Sequence, residues 1–324
     1  MNKHLSPSSY IRPLLRIDEM SVSFDTSLGW VKAAQNISLE LHEKETLALV
    51  GETGCGKSVI ASAILQLLPS NASVKGRAIF LGRDLLSLGE RDMADIRGRK
   101  IAIIFQNPSL SLNPIIKVAE QVAEPLQIHR RLPRHRAISK AEDMLGRFKL
   151  GGKASAFMYP FQLSGGMNQR IMIATSMILS PKILIADEPS KGLDQSLARL
   201  VMKELARIKD EIGASLLLIT HDLLLAREIS ERIAVMYCGE IVEIGSSAEI
   251  FDQPLHPYTK ALLNCLPEKG FKPIPGCSPS MIDTLEGCRF YPRCRERHDR
   301  CLLSPGMIKV EGRDGDREVR CWLY

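Results

Sequence analysis

The chain has 324 residues, 45% of them apolar and 25% charged, and its 43 basic and 37 acidic side chains give a formal net charge of +6. This composition excludes an intrinsically disordered chain, and the length allows one large domain or two smaller ones. The longest apolar runs, such as 171–179, are much shorter than the roughly 20 residues that a membrane-spanning helix needs. No apolar segment follows Lys3 and Arg12, as a secretory signal would require, so we expect a cytosolic protein.

Strand and helix patterns begin after residues 1–14, which are polar and are predicted to form a flexible tail. Strands are predicted at 15–24, 37–41, 46–50 and 101–105, and a helix at 57–68. The stretch 115–163 is helix-compatible, with breaks predicted at Pro125, Pro133 and Pro160. From residue 166, predicted helices (166–179, 195–212, 222–230) alternate with predicted strands (183–186, 215–220, 233–237). This alternation predicts an α/β fold whose parallel sheet is covered by helices on both faces.

The predicted helix at 195–212 has the clearest pattern in the chain. Asp194 stands where an N-cap residue belongs, and Gly213 stands where the left-handed residue after a helix belongs. One apolar face is predicted from spacings of three and four residues, comprising Leu197, Leu200, Val201, Leu205, Ile208 and Ile212.

The composition changes near residue 250, where Pro, Cys and Arg become frequent and the regular periodicity fades. We therefore predict a main domain at 15–250 and a C-terminal extension at 251–324. Six of the eight cysteines lie in this extension, and four of these six lie within the last 37 residues.

A glycine-rich segment, G-E-T-G-C-G-K-S at 51–58, lies between a predicted buried strand and a predicted helix. In this context the pattern G-x-x-x-x-G-K-[ST] forms a phosphate-binding loop, whose backbone N–H groups and helix N-terminus face a polyphosphate. Lys57 is expected to reach the β- and γ-phosphates of the ligand, and Ser58 to bind Mg²⁺. The nucleotide-binding residues predicted here are Gly51, Glu52, Thr53, Gly54, Cys55, Gly56, Lys57, Ser58 and Val59.

Two carboxylates, Asp187 and Glu188, follow the apolar strand predicted at 183–186. In open α/β sheets the carboxyl ends of the strands form the ligand-binding edge. Asp187 is expected to complete the Mg²⁺ shell directly or through water, and Glu188 to polarise the water that attacks the γ-phosphate.

His221 and Gln106 each follow another apolar strand, so both are expected at the same sheet edge. His221 is predicted to hydrogen-bond near the γ-phosphate. Gln106 is predicted to contact Mg²⁺ or the attacking water. We therefore assign Glu188, His221 and Gln106 as candidate catalytic residues.

The segment L-S-G-G-M at 163–167 resembles the signature of the ABC ATPases. Together with the phosphate loop, Gln106, the Asp187–Glu188 pair, the segment S-K-G-L-D at 190–194 and His221, it completes that family's motif order. The resemblance implies an ABC-type P-loop ATPase with a RecA-like core, an antiparallel β subdomain and a helical subdomain at about 107–165. It also implies a small, irregular, Cys-rich C-terminal extension.

Further segments are similar to those of the peptide/nickel importer ATPases, and most of all to the dipeptide and oligopeptide permease subunits. They are Y-C-G-E-I-V-E at 237–243, H-P-Y-T-K-A-L-L at 256–263 and the C-terminal cysteines. The resemblance implies a translocase that hydrolyses ATP to import di- or oligopeptides. The alternatives are a nickel or other small-solute importer of the same family and a non-transport ABC ATPase that acts on nucleic acid.

The same resemblance implies partners and a location. The expected partners are a second ABC ATPase subunit, identical or a paralogue, two transmembrane permease subunits and an extracytoplasmic solute-binding protein. The chain would lie peripherally on the cytoplasmic face of the inner membrane. Ser164, Gly165 and Gly166 would bind the γ-phosphate of ATP held by the partner ATPase.

The sequence departs from the family pattern before Leu193, and no motif identifies the aromatic residue that stacks on adenine. Lys191 and Gly192 replace the usual Thr/Ala pair before Leu-Asp, next to the expected dimer interface. The aromatic residue expected to stack on adenine is Phe24, with Trp30 as a possible substitute.

The four C-terminal cysteines, Cys288, Cys294, Cys301 and Cys321, have the spacing C-x₅-C-x₆-C-x₁₉-C. Four thiolates can hold a [4Fe–4S] cluster or a Cys₄ zinc site, and the absence of a short C-x₂₋₄-C knuckle disfavours zinc. The family resemblance indicates the iron–sulfur cluster; zinc and free thiols are the alternatives.

A basic stretch at 129–140 holds five Lys or Arg residues and no acidic residue. Nucleic-acid binding is one interpretation of such a stretch. We favour a solvated helical face, because no aromatic side chain lies between the charges to stack on bases. No nucleic-acid partner is therefore expected.

Overall fold

The computed structural model describes residues 12–150, 153–282, 286–313 and 316–324, so most of the predicted tail at 1–14 lies outside the described residues. The strands are β1 (Leu15–Thr26), β2 (Gly29–Leu41), β3 (Thr46–Val50), β4 (Ala72–Phe80), β5 (Arg83–Asp84), β6 (Ile101–Ile104), β7 (Ile183–Asp187), β8 (Ser215–Thr220), β9 (Arg232–Tyr237), β10 (Glu240–Ser246), β11 (Ile308–Glu311) and β12 (Asp316–Val319). The helices are α1 (Lys57–Ile64), α2 (Glu90–Ile96), α3 (Pro108–Ser111), α4 (Val118–Arg130), α5 (Arg134–Arg147), α6 (Lys153–Ala156), α7 (Gly165–Met177), α8 (Gln195–Ile212), α9 (Leu223–Ile229), α10 (Ser247–Asp252) and α11 (Pro257–Asn264). Within the described ranges, none of these helices combines the length and the apolar character that crossing a membrane requires.

The strands form two sheets. The larger sheet has eight strands in the order β11-β12-β10-β9-β3-β8-β7-β6, and the smaller has four in the order β2-β1-β4-β5. Strands β9, β3, β8, β7 and β6 are parallel, whereas β10, β12 and β11 extend the large sheet in antiparallel fashion. The small sheet is antiparallel throughout.

The parallel strands are buried on both faces, as the sequence predicts. Alternate residues of β7 enter different cores: Leu184 and Ala186 pack in one, and Ile183 and Ile185 in the other. The first core includes residues of α4, α5, α7, α8 and α9, and the second includes residues of α1, α2 and the small sheet. Because successive strand side chains point to opposite faces, such a strand must be apolar along its whole length.

Helix α8 begins and ends where the sequence predicts. The Asp194 carboxylate accepts hydrogen bonds from the N–H groups of Ser196 and Leu197, and Gly213 adopts a left-handed conformation with φ 67°. Val201, Leu205 and Ile208 are fully buried, but Leu200 is 39% exposed, so its place on the predicted apolar face is wrong.

Two local predictions from the sequence are wrong. Helix α4 continues through Pro125, where a break is predicted, while the break at Pro133 is correct because this residue is the N-cap of α5. Strand β4 is missing from the prediction, since its middle residues are exposed and carry Lys75, Gly76 and Arg77 rather than an alternating apolar pattern.

The C-terminal extension is less irregular than predicted. It contains short 3₁₀ turns at Tyr291–Arg293 and Asp299–Leu302, but its strands β11 and β12 form a hairpin that pairs with β10 of the large sheet. Between these two paired strands, Arg317 of β12 donates a 2.9 Å hydrogen bond to the carboxylate of Glu243 in β10. Both side chains are buried. The same carboxylate accepts hydrogen bonds from the N–H groups of Leu255 and His256.

We predict that Arg317→Met lowers the free energy of unfolding by about 3 kcal/mol, because it leaves the buried Glu243 carboxylate without its charged partner. The matched control is Arg99→Met, which breaks an ion pair with Asp95 in which both side chains are about half exposed. That substitution should cost less than about 0.5 kcal/mol. Chemical denaturation at neutral pH measures both, and equal losses for the two variants would contradict the prediction.

Candidate functional site

The glycine-rich loop at 51–58 joins β3 to α1, as predicted. Two of its glycines are required by close backbone packing. A Cβ atom on Gly56, where φ is 104°, would lie 2.0 Å from the carbonyl oxygen of Ala33, and one on Gly51 would lie 2.1 Å from that of Met236. Thr53 and Gly54 at the outer part of the loop are exposed, so the loop offers its backbone to solvent.

Lys57 is buried under this loop and binds the loop's own carbonyl groups. Its ammonium donates hydrogen bonds to the carbonyl oxygens of Gly51, at 2.9 Å, and Glu52, at 3.0 Å. The Sγ atom of Cys55 lies 3.7 Å from the same ammonium, and burial raises the pKa of the Cys55 thiol. A cation held under a loop whose outer residues, Thr53 and Gly54, are exposed is suited to bind an anion.

Ser58 and Asp187 meet at the carboxyl edge of the large sheet. The Ser58 hydroxyl donates a 2.9 Å hydrogen bond to Oδ1 of Asp187. Burial raises the pKa of Asp187, and the Ser58 hydrogen bond opposes that rise. A hydroxyl and a carboxylate side by side are hard oxygen ligands, and Mg²⁺ commonly takes only one or two such protein ligands together with substrate phosphates. The residues therefore fit the predicted Mg²⁺.

Glu188 and His221 form the second pair at this edge. Nδ1 of His221 lies 2.8 Å from Oε2 of Glu188, and the carboxylate is buried whereas the imidazole is half exposed. Glu188 has a positive φ of 47°, and its N–H donates to the carbonyl of Ile219 at the end of β8. Gln106 follows β6, which pairs with β7, so it lies along the same edge and is half-buried.

The signature segment begins helix α7. Ser164 is its N-cap and accepts a 3.3 Å hydrogen bond from the N–H of Met167. Ser164 and Gly165 are exposed, whereas Gly166 is buried, and a Cβ atom there would lie 2.7 Å from Cδ2 of Leu197 in α8. Gly166 thus lets α7 pack closely on the Leu197 side chain of α8, a contact that the sequence analysis missed.

The two aromatic candidates for adenine stacking lie on the β1–β2 hairpin. Phe24 is partly buried and packs against the core beneath the small sheet, and Trp30 is 51% exposed. Both assignments stay predictions.

The basic stretch lies at the end of α4 and the start of α5. Two of its arginines bind other residues of the same chain. Arg134 forms an ion pair with Glu120, and Arg130 donates a hydrogen bond to the carbonyl of Leu179.

Cys288, Cys294, Cys301 and Cys321 line a single small cavity together with Trp322 and His256. The pKa of Cys288 is raised to about 11, mainly by burial and also by the neighbouring cysteines. The structure therefore brings together the four residues that the spacing indicates. Their arrangement is not a coordination sphere, because no three His, Cys, Asp or Glu side chains in the described ranges are placed to hold a metal ion. The predicted iron–sulfur cluster is thus not supported by this geometry.

The sequence analysis also missed a set of contacts around Glu52. Its N–H donates to the hydroxyl of Tyr258, and its carboxylate is bound by Arg293 and Ser278 of the extension. These partners lie more than 200 positions away along the chain, so no local pattern marks them.

Comparisons with family models match two parts of the chain. A model described as ABC transporter matches residues 34–191, and one described as oligopeptide/dipeptide transporter, C-terminal region, matches residues 242–301.

Full-length relatives and solved structures agree with these matches. The oligopeptide transport ATP-binding protein of Haemophilus influenzae is 37% identical, and the match covers 97% of this chain and 98% of the relative. The dipeptide transport ATP-binding protein of Bacillus subtilis is 38% identical, with 96% and 94% covered. The post-hydrolysis dimer of the ATP-binding cassette MJ0796, bound to ADP and Pi, matches 72% of this chain and 98% of its own with a TM-score of 0.65 and 26% identity.

Proposed function

The chain belongs to the ABC transporter ATPases and carries the C-terminal region of the oligopeptide and dipeptide transporters, and we propose that it hydrolyses ATP to power the import of short peptides. The observation that carries the proposal is the convergence of two residue pairs at one sheet edge. Ser58 of the phosphate loop bonds to Asp187, and the next residue, Glu188, pairs with His221.

The phosphate loop and its lysine would bind the nucleotide. Lys57 already binds two carbonyl groups of the loop, and it can exchange them for phosphate oxygens when ATP enters. Ser58 and Asp187 would hold Mg²⁺, which neutralises charge on the phosphates when bound.

Glu188 would accept a proton from the attacking water, and His221 would orient the Glu188 carboxylate or the γ-phosphate. The 2.8 Å contact between the two side chains supports this division of roles. Gln106, on the same edge, would contact the metal or the water. General-base catalysis of this kind typically contributes 10²- to 10⁴-fold to the rate.

The exposed N-terminus of α7 would act on a second ATPase subunit. Ser164 and Gly165 are exposed at a helix N-terminus, a position that favours an anion. We propose that this end faces ATP held by the partner, a paralogous or identical subunit, and that hydrolysis releases the contact. Two permease subunits and an extracytoplasmic binding protein would complete the importer, with this chain peripheral on the cytoplasmic face.

We predict that Glu188→Gln leaves the dissociation constant for ATP within about twofold and lowers turnover at least about 100-fold, because an amide cannot accept the proton of water. Fluorescent-nucleotide titration and phosphate release, measured on the complex purified with its partner subunits, test this. The matched control is Glu228→Gln, which changes a solvent-accessible carboxylate paired with Lys203. Turnover in Glu188→Gln within threefold of the unsubstituted protein would refute the assignment.

The peptide assignment has a separate test in cells. Deleting the gene for this protein should abolish uptake of a radiolabelled tripeptide while leaving ⁶³Ni²⁺ uptake unchanged. The unsubstituted gene should restore peptide uptake and the Glu188→Gln gene should not. Loss of nickel uptake with peptide uptake intact would contradict the proposal and favour a nickel importer.

We retain the [4Fe–4S] cluster as a proposal for the extension. The proposal rests on the cysteine spacing and on the four cysteines lining one cavity, and their side chains would have to rearrange to bind a cluster. No step of the proposed ATPase reaction depends on it.

We predict that anaerobically purified protein is brown, absorbs broadly at the blue end of the visible spectrum and contains about four iron atoms per chain. Cys301→Ser should lose this absorption, whereas Cys277→Ser, which changes an exposed thiol outside the cavity, should keep it. A colourless protein that contains zinc alone would overturn the cluster.

A further inference from the structure

The hydrogen bonds that the described part of the C-terminal extension makes to the phosphate loop all involve Glu52. This residue is the second of the glycine-rich motif, and it is bound through all three of its polar groups. Its N–H donates to Tyr258 at 3.1 Å, its carbonyl accepts from Lys57 at 3.0 Å, and its carboxylate is held by the extension. A residue fixed in this way determines the path of the loop on either side of it.

Arg293 supplies the main contact to the carboxylate. Its Nη1 lies 3.2 and 3.1 Å from the two carboxylate oxygens of Glu52, and its side chain is only 6% exposed. Ser278 adds a 2.7 Å hydrogen bond to Oε2. The Glu52 side chain is 29% exposed, so this charge-assisted bond is only partly shielded from water, but it is worth more than an ion pair in which both groups are exposed.

Arg293 is itself held rigidly. Nε donates to the carbonyl of Pro275 at 3.0 Å, and Nη1 also contacts the hydroxyls of Ser278 and Tyr237. The guanidinium therefore has few alternative positions, and it can fix Glu52 without itself losing much conformational freedom.

The contact between Arg293 and Glu52 also neutralises a negative charge in the phosphate loop. A free carboxylate in a loop that binds polyphosphate would repel the ligand, since like charges a few ångströms apart destabilise each other. The guanidinium neutralises Glu52 and holds its side chain toward the extension.

We propose that Arg293 is a positioning residue for ATP binding: through Glu52, it holds the phosphate loop in the conformation that receives the nucleotide. ATP affinity then depends on the extension being docked on the loop. The role lies outside the chemical step, because Arg293 reaches the reaction only through Glu52.

The proposal is tested by a double-mutant cycle on the full chain. Arg293→Gln should weaken ATP binding about tenfold, raise KM for ATP in parallel and leave kcat within twofold. In the Glu52→Gln background the same substitution should change affinity by less than twofold. Arg293→Lys, which keeps the charge, should recover part of the affinity.

Two further variants separate this role from a general loss of structure. Arg297→Gln changes a neighbouring exposed arginine that stacks on Tyr291, and it should leave ATP affinity unchanged. Ser278→Ala removes one hydrogen bond to Glu52 from an exposed residue, so it should fold and weaken ATP binding two- to threefold. Circular dichroism and thermal melting check the fold of each variant.

The proposal is overturned if Arg293→Gln and Ser278→Ala both leave ATP affinity unchanged, or if Arg293→Gln weakens it equally in both backgrounds. A fall in kcat with unchanged affinity would also overturn it. None of these results alters the assignment of Glu188, whose test measures turnover, so the two conclusions fail separately.

Discussion

The parallel pairing of β3, β8 and β7 determines where the expected Mg²⁺ ligands and the Glu188–His221 pair lie. Val50 pairs with Thr220, and Ile219 pairs with Asp187, so the three strands end within one residue of each other. The phosphate loop, His221 and the two carboxylates follow these ends. A shift of the register by one residue would exchange the two buried faces and move the carboxylates away from Ser58, and the apolar packing on both faces prevents it.

Some polar side chains of the candidate site are buried, and others are exposed to solvent. Lys57, Asp187 and Glu188 are buried, whereas Ser58 and His221 reach solvent. Buried charges are stable only when they are paired or hydrogen-bonded, and here each one is bonded to the loop or to a neighbour at the edge. The exposed members are the ones that an incoming nucleotide can contact first.

Local patterns predicted the parallel strands and helix α8 well, because their signals lie within a few residues. The four apolar residues before Asp187 and the caps of α8 are of this kind. Strand β4 was missed because it is largely exposed, and the burial of Glu243 was missed because its partner Arg317 lies 74 positions away. The same reason hid the contact of Arg293 with Glu52. Local sequence patterns identify the motif of a site. They do not identify side chains far along the chain that fix the conformation of that motif.

The hairpin of β11 and β12 also determines where the chain can be truncated without exposing a strand edge. Strand β10 pairs with β9 on one side and with β12 on the other, so the extension covers what would be the edge of the main sheet. A fragment cut near residue 250 would expose the backbone groups of a largely buried strand, and such edges pair readily with other chains. Modular replacement of the extension between related proteins would therefore require β10 and its hairpin to be exchanged together, since the two share one set of hydrogen bonds.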